Sequence, residues 1–237
     1  NMSANYANEF SNELNKASGI LETFYSYAES NIEIDSVEQD IYMQQYKAEV
    51  SNFIEKVLKN NDGILGTYIY FNPEFDVGAH DVYFTKDSTG NIKKQPELEA
   101  AEYDPNAAAM DWFYRPFEEK SKIWTDFYQA SIIDYKLVSY TKALIVDGKH
   151  IATLGIDLNF EDVKNIVDSI NPYETGFAYI MNENNKFLIH PVYKDKESLS
   201  DIGLEKEAEL MNKNQRGVFT VESRGEKMFN GYSKLSN

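Results

Sequence analysis

The sequence predicts an α+β protein: two N-terminal helices, then antiparallel strand groups with helices packed outside them. Three observations carry that reading. Apolar residues recur at helical spacing through residues 1–60. From Ile64 the apolar period drops to two, the period of a strand. Beyond that point strand-like runs come in neighbouring pairs around tight polar turns, which builds hairpins and two antiparallel sheets.

In chain order, Phe10, Leu14, Ala17, Leu21, Phe24 and Ala28 alternate spacings of four and three. That heptad-like stripe predicts a long helix over residues 4–30. It suits either packing on the chain's own core or a stalk with a dimer seam. Residues 31–36 break the pattern, and Ser36, followed by Gln39, has the look of a helix cap. Val37, Ile41, Tyr46, Val50, Phe53, Ile54, Val57 and Leu58 then predict a second helix over 37–60, stopped by Asn60-Asn61-Asp62-Gly63.

Ile64 to Phe71 reads as a strand ended by Asn72-Pro73, and Asp81 to Thr85 as another. Residues 92–109 read as loop. Lys136 to Val146 is a long strand that Asp147-Gly148 turns back into Ile151 to Leu158. Phe160 to Ile170 has helical spacing. Residues 177–181 with 186–190, and 217–221 with 227–233 around Arg224-Gly225, read as hairpins, with a short helix over 205–212 between them. The chain thus divides into helices over 1–60, a first module over 61–170 and a second over 171–237.

At 237 residues and 42% hydrophobic content, the chain can bury a proper core. Its net charge of -16 repels phosphate backbones, so no nucleic-acid partner is expected. The same field favours cationic ligands over anionic ones. Without cysteine there are no thiolate metal sites or thiol nucleophiles. His80, His150 and His190 lie far apart, and no nucleophile elbow or phosphate loop is present. Neither an enzyme nor a cofactor is expected, although Asp126 and Asp157 are the carboxylate pair a hydrolase would use.

The densest chemistry lies between Met110 and Tyr128, which holds both tryptophans, Trp112 and Trp124, among further rings and acids. Rings exclude water and contact an apolar body while a few charges fix orientation, so the stretch suits a small-molecule pocket. The same rings also suit a core.

Four stretches, in order and spacing, resemble the double Cache family of extracytoplasmic sensor domains. They are Trp112-Phe113-Tyr114-Arg115-Pro116, Ile123-Trp124-Thr125-Asp126-Phe127-Tyr128, Val138-Ser139-Tyr140-Thr141 and Thr153-Leu154-Gly155-Ile156-Asp157. Gly176-Phe177-Ala178-Tyr179 through His190-Pro191 resembles the opening hairpin of that family's second module. The family serves bacterial chemoreceptors, histidine kinases and diguanylate cyclases. The resemblance implies a long N-terminal helix followed by two PAS-like (Cache) modules, each a central antiparallel sheet flanked by helices. It implies an extracytoplasmic position in a membrane-anchored receptor, a homodimer through the N-terminal helix, and a small-molecule ligand in the membrane-distal module.

Carried over, the resemblance places ligand contacts at Trp112, Phe113 and Tyr128, with Asp157 taking a ligand's ammonium and Tyr140 facing the pocket beside it. Burying the Asp157 charge among apolar neighbours is costly unless a cation or donors meet it, which points the same way. Its alternative role is a strand-end carboxylate capping the next helix. Family members that bind amino acids carry arginine where Met110 stands, to grip the ligand carboxylate. Phe113, Phe127 and Ala130 depart from the pattern as well. The expected ligand is therefore cationic or neutral: an amine, an amino-acid-like molecule or another small metabolite. Asp111 and Asp126 are candidates to replace lost polar contacts, and Trp124 serves either pocket or core. The rival reading is a ligand-free spacer or dimerisation module.

Overall fold

The computed structural model describes residues 2–75, 80–130, 133–173, 175–194, 197–223 and 226–235. The Arg224-Gly225 turn expected from the sequence lies outside them. The chain forms two compact units, one of Ala17–Asp162 and one of Asn1–Lys16 with Val163–Asn237. Helix α1 (Met2–Asn31) contributes to both.

In the larger unit, α1 is followed by a 3-10 turn (Ile34–Ser36) and α2 (Asp40–Asn60). Strands β1 (Gly66–Phe71), β2 (Val82–Lys86) and β3 (Ile92–Lys94) come next. Two short 3-10 turns (Ala100–Glu102 and Ala108–Met110) lead into α3 (Asp111–Glu118). Strands β4 (Ile123–Trp124), β5 (Tyr128–Gln129), β6 (Lys136–Val146) and β7 (Lys149–Asn159) complete a seven-stranded sheet. Its order is β3-β2-β1-β7-β6-β4, with β5 also on β6, and every pairing is antiparallel.

Strand alternation gives this sheet two unlike faces. Ile69, Phe71, Val82, Phe84, Tyr140, Leu144, Leu154 and Ile156 pack against Leu21, Phe24, Ala28, Met43, Val50, Ile54 and Leu58 of the two helices. Tyr68, Tyr70 and Tyr83 point to the other side, against Leu98, Tyr103, Met110 and Phe113. The stripe from Ala17 to Ala28 is therefore buried in the chain's own core, the packing alternative rather than a free seam. Ile41 leaves the expected apolar face and is exposed, because the buried positions of α2 run Met43, Tyr46, Val50, Ile54, Leu58. Helix α2 also starts later than expected, at Asp40, and Gln39 caps it without a side-chain hydrogen bond. Residues 92–109, expected as loop, hold β3 and the two 3-10 turns.

Helix α4 (Phe160–Ser169) leads from the larger unit into the smaller one. There β8 (Ile180–Met181) pairs β9 (Phe187–Ile189), and α5 (Glu205–Lys213) precedes the ladder of β10 (Arg216–Ser223) with β11 (Glu226–Ser233). Among the described residues the two ladders are separate, where a single central sheet was expected. Only short runs pair in the first ladder: 177–179, expected as strand, stay outside it. Phe187, Leu199 and Ala208 form a small core with Tyr179, Tyr193 and Met211 around it. His190 accepts the Val192 and Tyr193 amides through Nδ1, both at 3.0 Å, so it shapes a turn.

Candidate functional site

On the sheet face away from the helices, Tyr68, Tyr70, Tyr83, Trp112, Tyr128 and Asp157 line a cavity of about 310 Å³. Four strands, β1, β2, β6 and β7, supply its floor. Opposite residues in an antiparallel pair share a face, and the register sets Gly66 beside Asp157, Tyr68 beside both Gly155 and Tyr83, and Ser139 beside Asp157. The two glycines make the floor possible. A Cβ on Gly155 would stand 2.1 Å from the Tyr68 ring, and one on Gly66 would stand 2.8 Å from the Tyr83 ring. No real side chain sits that close, so tyrosines cross the sheet only where the neighbouring strand carries hydrogen alone.

The roof is the segment from Leu98 to α3. Asp81 anchors it, accepting the Tyr103 hydroxyl at 2.7 Å on the carboxylate whose other oxygen accepts the Phe71 amide at 2.8 Å. Tyr114 donates to the Tyr103 carbonyl, and Thr153 donates to the Phe113 carbonyl, both at 2.8 Å. Arg115 ties α3 to β4, with Nε 3.0 Å from Asp111 and Nη2 donating to the Trp124 carbonyl at 2.9 Å. The Trp112 ring then stands edge-on to Tyr68 and Tyr70, 5.1 Å from each.

Asp157 is the charged centre, 1% exposed. Ser139 donates to it at 2.6 Å, and the Tyr83 hydroxyl bonds the same carboxyl. Burial lifts this carboxyl to about 6, against the two hydrogen bonds that pull it down. Because Ser139 spends its only proton on Asp157, the 2.8 Å contact between Tyr128 and Ser139 must have Tyr128 donating. Tyr68 and Tyr83 are held well above the usual phenol range, by burial first and by the Asp157 charge second. All four tyrosines of the cavity are neutral donors at any physiological pH. Among the described lining residues the charged ones are Asp157 and Glu102, with no lysine, arginine or histidine.

The cavity gathers Met110, Trp112, Tyr128 and Asp157 from the residues singled out in the sequence. Five others lie elsewhere. Phe113 is fully buried in the core behind the roof, against Tyr103 and His150. Tyr140 is on the helix face, where Trp124 stacks on it at 4.5 Å, so both are core. Asp111 is half exposed and pairs with Arg115, and Asp126 is exposed. Tyr68, Tyr70 and Tyr83 were missed. The alternation of Gly66-Thr67-Tyr68-Ile69-Tyr70-Phe71 is the signal that puts the tyrosines together on one face opposite the isoleucine.

Residues 50–165 match the family described as methyl-accepting chemotaxis protein-like, first PDC sensor domain. A protein named as a methyl-accepting chemotaxis protein in Bacillus thuringiensis subsp. konkukian is 25% identical over 217 residues. That match covers 86% of this chain and 31% of the relative, so the chain spans about a third of that protein's length. Among solved structures, the extracellular domain described as that of a histidine kinase, mmHK1S-Z3, superposes with a TM-score of 0.76 at 22% identity, covering 99% of this chain and 87% of that one. The sensory domain of the Campylobacter jejuni chemoreceptor Tlp3 gives 0.61 at 17% identity, covering 98% and 87%. The ligand-binding domain of the Pseudomonas aeruginosa PAO1 amino acid chemoreceptor PctB, in complex with L-Arg, gives 0.60 at 17%, covering 96% and 83%. At these identities the likeness establishes a shared fold.

Proposed function

We propose that the chain, whose residues 50–165 match the first PDC sensor domain of methyl-accepting chemotaxis protein-like receptors, is a sensor domain of the PDC, or Cache, class, and that its Ala17–Asp162 unit is the membrane-distal module that binds a small cationic or neutral molecule for a transmembrane receptor. One observation carries the ligand class. Asp157 is a buried carboxylate in a tyrosine-lined cavity whose described lining has no cation. Burying that charge with hydroxyl donors but no cation is costly, and a ligand ammonium over rings and a carboxylate offsets the cost. PctB, a fold relative, is described in complex with L-Arg, a ligand that carries cationic groups.

Output would pass through the sheet to α1, which lies on its opposite face. Ser18 reaches the Tyr140 hydroxyl at 3.4 Å, and Glu22 bridges Lys122 at 2.9 Å and Lys142 at 2.8 Å. Closure of the roof over a ligand would bias α1 against a second copy in a homodimer of the whole receptor, set outside the cytoplasm with the chain anchored in the membrane. Among the described residues no helix is long and apolar enough to cross a membrane.

A thermal-shift screen of primary amines, amino acids, purines and carboxylates tests the reading. Amines at 100 times Kd would add roughly 2.7 kcal/mol to stability, and Asp157→Asn would remove the shift. Silence across the whole panel would favour a ligand-free spacer.

A further inference from the structure

Two hydroxyls in the cavity wall are not used by an ammonium contact. Tyr68 is 3% exposed and Tyr70 2%, both line the cavity, and neither hydroxyl meets hydrogen-bond geometry with a described residue, Ser139 beside Tyr68 being already engaged by Tyr128 and Asp157. A buried hydroxyl without a partner is costly, and phenylalanine would fill the same space without that cost. Thr67 and Thr141 carry orphan hydroxyls too, but neither lines the cavity. The other tyrosines of the floor and wall are engaged, Tyr83 by Asp157 and Tyr128 by Ser139. Tyr68 and Tyr70 are therefore two neutral donors lacking acceptors, over one cavity.

What they accept as a partner follows from the charges around them. The charged lining residues, Asp157 and Glu102, are both acids. A ligand carboxylate there would lose its water with no cation to compensate. An uncharged carbonyl or hydroxyl oxygen loses far less and accepts readily from a phenol. The spacing suits one small molecule. The Tyr68 hydroxyl lies over Gly155, 2.2 Å from where a Cβ would stand, and Gly155 precedes Asp157 by two residues on the same strand face. Two residues along a strand span about 7 Å.

Resting on the ammonium site proposed above, we infer that the cavity selects an amine that also carries an uncharged oxygen acceptor, such as an amino amide or amino alcohol. Tyr68 and Tyr70 donate to that oxygen and discriminate against carboxylates.

Calorimetric titration at pH 7.5 with β-alaninamide, β-alanine and n-butylamine tests this. The first two differ in amide against carboxylate at nearly the same shape, and the third keeps the ammonium without an acceptor. β-Alaninamide should bind about tenfold tighter than either of the others, the worth of one or two hydrogen bonds. In the Tyr68→Phe/Tyr70→Phe double variant that advantage should vanish, with the amide losing more affinity than n-butylamine and the thermal midpoint not lowered. If the double variant gives no thermal transition, the two single variants are compared the same way. β-Alanine binding as tightly as the amide, or an amide advantage that survives both phenylalanines, overturns the inference and leaves the ammonium site standing. Binding by none of the three removes the ammonium site, and this inference with it.

Discussion

The two faces of the seven-stranded sheet are built from the same four central strands, yet obey different rules. Toward α1 and α2 the strands present aliphatic and phenylalanine side chains that are mostly fully buried, with Tyr140 tied to Ser18 at its rim. Toward the roof they present tyrosines, a serine and a buried acid, around a cavity that a stability-driven sequence would have filled. The helix face contributes stability. The cavity face gives stability up, in a buried carboxylate met by hydroxyl donors but by no cation among the described lining residues and in two unpartnered hydroxyls, and this is the pattern expected where binding is the purpose.

The sharpest contrast comes from truncating each face. Phe24→Ala, on a ring with no exposure that stacks on Phe53 at 5.4 Å, should cost about 3–5 kcal/mol in chemical denaturation. The folded fraction should keep its affinity for amines. Asp157→Asn should do the reverse. The folded-state carboxyl sits at about 6, above its ordinary 3.8, so its stabilising contribution is complete below pH 4 and is lost as pH rises through 6. At pH 7.5 the free protein carries that cost, and the variant should gain up to about 3 kcal/mol while losing amine binding. The gain should shrink as the pH is lowered through 6 and disappear near 4. Equal stability of the two proteins at pH 7.5 would mean the cavity face is not strained by its charge.

Smaller changes sharpen the comparison. Gly155→Ala forces a methyl into the Tyr68 ring, and should cost about 1–3 kcal/mol and weaken amine binding together. A neutral result would show that Tyr68 can leave its place over the strand. Lys142→Ala breaks a half-exposed bridge to Glu22 and a contact over the Tyr25 ring at 3.5 Å, and should cost no more than about 1 kcal/mol. Its affinity for amines should stay at the wild-type value, since it lies on the helix face.

The fold was largely legible because each element follows from local period: the helical stripe to Ala28, the strand runs around Asp147-Gly148, the helix from Phe160. Asp157 was legible as a charge among apolar strand neighbours. Tyr140 was misplaced for a specific reason. Alternation along β6 keeps Tyr140 on the helix face with Leu144 and Val146, while an unbroken ladder from the Ile145–His150 pair would set Gly155 opposite Tyr140 and carry Asp157 to that same face. The register shifts between Leu144 and Ile145, so that Ser139 meets Asp157 on the cavity face and Tyr140 meets Ile156 on the helix face. One extra residue in β7 flips every side chain beyond it to the other face. Nothing in the local sequence announces that bulge. The tyrosines of β1 and β2 share this limit: alternation groups them, but only the pairing of β1 with β7 brings them over Asp157. Ile41 shows the same on a helix, where packing against α1 and the sheet buries the stripe Met43, Tyr46, Val50, Ile54 and Leu58 and leaves Ile41 outside it.

The central claim is that the Asp157 carboxylate in the cavity receives a ligand's ammonium. NMR titration of the Asp157 side-chain carboxyl, without and with saturating β-alaninamide, measures this directly. The free protein should titrate near 6, and the bound protein should titrate below the ordinary carboxylate value of about 3.9. A midpoint that stays near 6 in the complex would contradict the account, because the bound cation would then lie elsewhere.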